Sequence, residues 1–183
     1  MMKILAIAGS LRKDSFNRQL ALSAQTLLKG TAELELLDYS SVPPLNEDIE
    51  FPAPEGVAQA RQKVEEADGI WFFTPEYNHA VPGVLKNLID WLSRPVSQEK
   101  GQVLNGKPTA ISGITPGMSG TAIAQDQLIP LLSFLNMKIM NVPRLTIPHA
   151  NSQAEGNKLV LKDSLRYLDK QAKAFVSFIE TAE

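Results

Sequence analysis

Lys3-Ile4-Leu5-Ala6-Ile7-Ala8-Gly9-Ser10-Leu11-Arg12-Lys13-Asp14-Ser15-Phe16-Asn17 holds a strand, a loop and the start of a helix. Lys3–Ala8 is apolar after its first residue and does not alternate. Such a strand is buried on both faces, as in a parallel sheet. Gly9 ends it. Phe16, Leu20, Ala24, Leu27 and Leu28 then recur at helical spacing, and Gly30 stops the helix. Between the two, Ser10, Ser15 and Asn17 are short side-chain donors, and Arg12 adds a charged fork. The helix start contributes free backbone N–H groups and the positive end of its dipole. That set suits a terminal phosphomonoester. Helix capping by Asp14 or Ser15, with Arg12 solvated, accounts for the same residue types. The position after the first strand of an α/β sheet favours phosphate. Neither the G-x-G-x-x-G dinucleotide fingerprint nor the G-x-x-x-x-G-K-[ST] loop is present.

The rest of the chain repeats strand and helix. Leu34–Leu37 reads as a short strand, Val57–Ala67 as a helix after Pro54, and Ile70–Thr74 as a second fully apolar strand. Val84, Leu85, Leu88, Ile89 and Leu92 form a helical stripe behind Pro82, where proline is tolerated. Pro108–Ile114 is a strand and Ala122–Leu135 a helix. Lys138–Val142 or Leu145–Ile147 supplies the last strand. Leu161, Leu165, Leu168, Ala172, Phe175 and Ile179 mark the final helix. Right-handed crossovers turn this alternation into an α/β, doubly wound, five-stranded parallel sheet of order 2-1-3-4-5 with helices on both faces. A chain of 183 residues, with no linker or repeat, makes residues 1–183 a single domain. Ligands of such folds lie outside the carboxyl ends of the strands, at the switch point. The loops after strands 1, 3 and 4 are therefore the ones that matter.

The third-strand loop is Thr74-Pro75-Glu76-Tyr77-Asn78-His79-Ala80-Val81-Pro82-Gly83. Its prolines and glycine stiffen it, so it can hold backbone amides at fixed points, as the edge of a flat heteroaromatic ring requires. Tyr77 can flank such a ring or simply cover a helix end. Asn78 can cap a turn. His79 has no catalytic partner in the sequence, and Glu76 has no second carboxylate or metal signature beside it. The fourth-strand loop, Ser112-Gly113-Ile114-Thr115-Pro116-Gly117-Met118-Ser119-Gly120-Thr121, has three glycines that permit close backbone approach. It is the third wall of a pocket, or else a flexible surface loop.

Composition removes other classes. Lys and Arg number 18 against 20 Asp and Glu, a balance of −2 that disfavours nucleic acid as a partner. With no Cys and only His79 and His149, thiolate chemistry and a His-rich metal site are excluded. No apolar run approaches the roughly 20 residues of a membrane span, and the first residues do not read as a signal peptide. The expectation is a soluble, cytoplasmic protein. No G-x-S-x-G elbow marks a hydrolase.

On Gly9-Ser10-Leu11-Arg12-Lys13-Asp14-Ser15-Phe16-Asn17, on Thr74-Pro75-Glu76-Tyr77-Asn78, and on Val81-Pro82-Gly83-Val84-Leu85-Lys86-Asn87-Leu88-Ile89-Asp90-Trp91-Leu92-Ser93-Arg94, the chain resembles the NADPH-dependent FMN reductase family, which includes quinone, chromate and azo-dye reductases. The similarity runs from Lys3 to about Pro143, roughly three-quarters of the chain. The resemblance implies a flavodoxin-like fold with non-covalent FMN and with NADPH or NADH as electron donor. It implies a phosphate site at Ser10, Leu11, Arg12, Ser15 and Asn17. It implies a ring-edge site at Pro75, Glu76, Tyr77, Asn78 and His79, largely through main-chain groups, and a third wall at Thr115 and Gly117. The third loop departs from the family pattern: a Gly-Gly pair followed by Arg is common there, and here Gly120-Thr121 precedes Ala122-Ile123. The resemblance also implies ping-pong transfer to a small acceptor such as a quinone, an azo dye or a chromate-like oxidant, and a homodimer or homotetramer formed on the helix after Pro82. Trp91 and Leu92 either serve that contact or pack within the chain. No obligate acid or base is implied. A flavodoxin-type electron carrier and a non-catalytic flavin-binding regulator are the alternatives on this scaffold. Arg12 and the near-neutral charge disfavour the carrier.

Overall fold

The structure, a computed structural model, describes residues 1–182. β1 (Met2–Ala8), α1 (Phe16–Leu27), β2 (Ala32–Leu36), α2 (Glu55–Glu66), β3 (Gly69–Phe73), α3 (Gly83–Leu92), β4 (Pro108–Ile114) and α4 (Ala122–Phe134) alternate as the hydrophobic pattern requires. β5 (Lys138–Ile139), β6 (Leu145–Ile147), a small hairpin of β7 (Ala154–Glu155) and β8 (Lys158–Leu159), and α5 (Leu165–Thr181) complete the chain. The sheet is parallel, in the order β2-β1-β3-β4-β5, with β6 also paired to β4.

The two candidates for the last strand are both used. β5 pairs with the start of β4 (Pro108 with Lys138) and β6 with its end (Ser112 with Leu145). Pro143 stands between them and has no N–H to offer the ladder. The fifth position of the sheet is thus filled by two short pieces. The β7–β8 hairpin carries no hydrophobic signal in the sequence. Leu161 lies ahead of α5, which starts at Leu165.

The central strands bury both faces. Ile4, Ala6, Trp71 and Phe73 pack against α1 and α5 through Leu20, Ala24, Leu168 and Phe175. Their neighbours Leu5, Ile7, Ile70 and Phe72 pack against α2, α3 and α4 through Val64, Leu88 and Leu128. At roughly 25 cal/mol per Å² of apolar area, these two layers supply the main stabilising term. Trp91 and Leu92 are fully buried, and the Trp91 indole N–H donates to the carbonyl of Pro43 at 2.8 Å. They are internal residues. No described helix is long and apolar enough to cross a membrane.

Candidate active site at the carboxyl edge of the sheet

β1, β3 and β4 end side by side. The Gly9 N–H donates to the Phe73 carbonyl at 2.8 Å, and the Thr74 N–H to the Ser112 carbonyl at 2.9 Å. The three loops leave from one edge, and specific side chains join them. The Ser10 and Tyr77 hydroxyls lie 3.1 Å apart, linking the first loop to the third-strand loop. Glu76 links that loop to the fourth, because its Oε1 accepts from the Ser119 hydroxyl at 2.8 Å. Gly113 must be glycine, since a Cβ there would overlap the Thr121 hydroxyl and the Thr74 carbonyl.

In the first loop, Ser15 is the N-cap of α1, and its Oγ accepts from the Arg18 N–H at 3.4 Å. Capping therefore uses a Ser15 lone pair and leaves the hydroxyl hydrogen free to donate. Among the described residues, the N–H groups of Ser10, Leu11, Lys13, Asp14, Phe16 and Asn17 have no acceptor. Arg12 is exposed and forms no ion pair among the described residues. Leu11 is at the exposed turn of the loop. Asn17 differs from expectation. The residue is 2% exposed, and its side chain spends both ends on Ile114, donating to the carbonyl at 2.9 Å and accepting from the N–H at 3.0 Å. What Asn17 leaves for an anion is its backbone N–H.

In the third-strand loop, Pro75 is buried and Tyr77, Asn78 and His79 are exposed. Tyr77 and Ala80 exchange backbone hydrogen bonds at 3.2 and 3.0 Å around a two-residue turn. Both central residues have positive φ, 52° at Asn78 and 57° at His79. Positive φ at both places matches the twist of a tight hairpin, and Asn tolerates it better than most residues. The N–H groups of Glu76, Asn78 and His79 have no acceptor among the described residues. The Glu76 carboxylate is occupied. Its Oε2 accepts from the Ala124 N–H at 3.1 Å, and the His79 Nδ1 stands 3.4 Å from Oε1.

In the fourth loop, Thr115 is buried and zipped to the chain after β6: its N–H donates to Ile147 at 3.1 Å, and its carbonyl accepts from Ala150 at 3.0 Å. The Gly117 carbonyl accepts from the His149 N–H at 3.2 Å. A Cβ at Gly117 would meet only the Thr115 methyl, at 4.0 Å.

Ser119, Gln127 and Tyr39 are missed by sequence reasoning. The Tyr39 hydroxyl donates to the Ala8 carbonyl at 2.6 Å beneath the first loop. Burial pushes this phenol well above its ordinary pKa, with the nearby Tyr77 adding to the rise. It stays a neutral donor. Only the glycine-rich setting of Ser119 hints at any of the three.

The donor set fits FMN. Clustered amides, two hydroxyls and an unpaired guanidinium suit a phosphate, and the hairpin amides suit acceptors on a ring edge. Ser10, Arg12, Ser15 and the backbone of Leu11 and Asn17 would hold the tail, and the 75–79 loop the ring. A family model described as NADPH-dependent FMN reductase matches residues 2–152. The chain is 37% identical over 179 residues to a 2-hydroxy-1,4-benzoquinone reductase of a Burkholderia species, covering 97% of this chain and 96% of the relative. It is 39% identical over 170 residues to an NAD(P)H-dependent FMN reductase of Pseudomonas aeruginosa, covering 92% and 90%. Its fold is that of a flavoenzyme NAD(P)H:(acceptor) oxidoreductase from Paracoccus denitrificans, with a TM-score of 0.87, 35% identity and 98% of each chain covered. Fold, loop chemistry and kinship agree that this chain belongs to the NADPH-dependent FMN reductase family, flavodoxin-like oxidoreductases that work with FMN and NAD(P)H.

Proposed function

We propose that the chain is an FMN-dependent NAD(P)H oxidoreductase acting on quinones and other small planar or oxidising acceptors, azo compounds and chromate-like species among them. The observation that carries this reading is the pairing, on one sheet edge, of a free anion-binding helix start with a rigid hairpin of free amides. Bound there, FMN supplies hydride acceptance from NAD(P)H and electron delivery to the acceptor. The chain's part is to hold the tail, fix the ring edge and stabilise negative charge through free amides of the hairpin. With the Glu76 carboxylate spent on Ser119 and Ala124, proton transfer falls to solvent or substrate rather than to a dedicated side chain. One shared ring face for donor and acceptor gives ping-pong kinetics, seen as parallel double-reciprocal lines. A cytoplasmic setting, where NAD(P)H is regenerated, suits this chemistry.

The same reading includes a homodimer or homotetramer. An open apolar hollow of about 340 Å³, lined by Leu11, Tyr39, Val42, Pro44, Gly83, Val84 and Asn87, lies beside the start of α3 and supports it. Arg12→Ala tests the tail site. The loss of a charge-assisted hydrogen bond weakens FMN binding by about 1.5–3 kcal/mol, read by fluorescence titration. Wild-type affinity in the variant would remove Arg12 from the phosphate site.

A further inference from the structure

We propose that Glu76 and Gln127 are positioning residues that clamp the hairpin Tyr77–Ala80 onto α4 and thereby set where its free amides stand. The inference rests on the reading that those amides meet the flavin ring.

The start of α4 lacks its own cap. Thr121, at the N-cap, is left-handed with φ 75° and makes no side-chain capping bond. Glu76 supplies the cap from another loop. Its side chain is 6% exposed, one oxygen accepts from the Ser119 hydroxyl and the other from the Ala124 N–H. A carboxylate at this place also meets the positive end of the α4 dipole. Gln127 lies three residues further along the helix. Its Nε2 donates to the His79 carbonyl at 2.9 Å, and its Oε1 accepts from the Val81 N–H at 3.3 Å. The hairpin is therefore held on both sides of its tip.

That tip needs holding. Left-handed backbone at two successive non-glycine residues is costly and persists only where the surroundings over-determine it. The four hydrogen bonds to the 119–127 segment supply the constraint. Without them the turn relaxes, and the amides of Glu76, Asn78 and His79 lose their common aim. The penalty then appears at the ring and not at the tail.

The test compares Gln127→Ala, Glu76→Gln and Glu76→Ala with Arg12→Ala, using FMN as the probe. Three quantities are read: the dissociation constant, the reduction potential of bound FMN, and the melting temperature of the flavin-free protein. Gln127→Ala raises the dissociation constant about threefold to tenfold, the size of a neutral hydrogen bond or two, and Glu76→Ala about ten- to a hundredfold. Glu76→Gln falls between wild type and Glu76→Ala, since it keeps an acceptor but not the charge. Gln127→Ala moves the bound flavin's potential to more negative values and the two Glu76 variants move it away from the wild-type value, whereas Arg12→Ala raises the dissociation constant and leaves the potential alone. Glu76→Gln and Gln127→Ala binding FMN with wild-type affinity and potential, while melting lower, would show that the two residues only hold the fold together. Wild-type protein that takes up no FMN would overturn the underlying reading and this inference with it.

Discussion

Asn17 shows how one amide can tie a helix to a strand. Both ends of its side chain bond the backbone of Ile114, 97 positions away, so the first turn of α1 is held to the last residue of β4. The cost of losing it is set by what it would orphan. Asn17→Leu leaves a buried N–H and a buried C=O without partners, and each such group costs about 1–3 kcal/mol. Unfolding in denaturant is expected to show a loss of about 2–4 kcal/mol. A variant as stable as wild type would mean the pair contributes nothing. The residue type was readable as a polar group at the start of α1. Its direction was not, because no local pattern encodes a partner so far along the chain. Glu76 is similar: the sequence offers a carboxylate in the loop after β3, and the fold spends it on Ser119 and Ala124.

The segment from Val42 to Glu50, between β2 and α2, was blank in the hydrophobic pattern. It is a strap across α3. Asn87 accepts from the Leu45 N–H and donates to the Pro43 carbonyl, and Trp91 donates to the same carbonyl. At the far end, Arg94 donates to both Glu50 oxygens at 3.0 and 2.9 Å. Asn87, Trp91 and Arg94 share one face of α3 and its C-terminal extension by helical spacing. The Arg94 fork holds the Glu50 carboxyl below its ordinary range, and burial opposes this only in part. A depressed carboxyl pKa stabilises the fold above the ordinary carboxylate range, and that contribution fades as pH falls through the lowered value. Glu50→Gln is therefore expected to be less stable than wild type at pH 7, with the gap closing in acid, as followed by denaturation at a series of pH values. An equal gap at every pH would assign the loss to packing instead. Because Val42 and Pro44 line the hollow beside Leu11 and Val84, the strap also shapes the surface proposed for a second copy.

For the molecule as a unit, strand order and the layering of helices followed from two physical signals: apolar strands without alternation, and stripes at helical spacing. Lys3–Ala8 and Ile70–Thr74 carried most of that information, since a buried run leaves few alternatives. Weak runs carried less. Lys138–Val142 and Leu145–Ile147 each satisfy the pattern, and only the length of β4 shows that there is room for both. The three loops were identifiable by place and composition, and the structure brings them to one rim through Ser10, Tyr77, Glu76 and Ser119. The clamp from α4 was invisible, since Gln127 is an unremarkable polar residue on a helix. The proposed activity requires that rim to be a flavin site. Titrating flavin-free protein with FMN, with fluorescence and visible absorbance followed together, tests it most directly. Saturable uptake of one FMN per chain, quenched emission, and bleaching of the yellow band on anaerobic addition of NADPH are expected; protein that stays colourless and leaves FMN emission unchanged would rule the flavin site out.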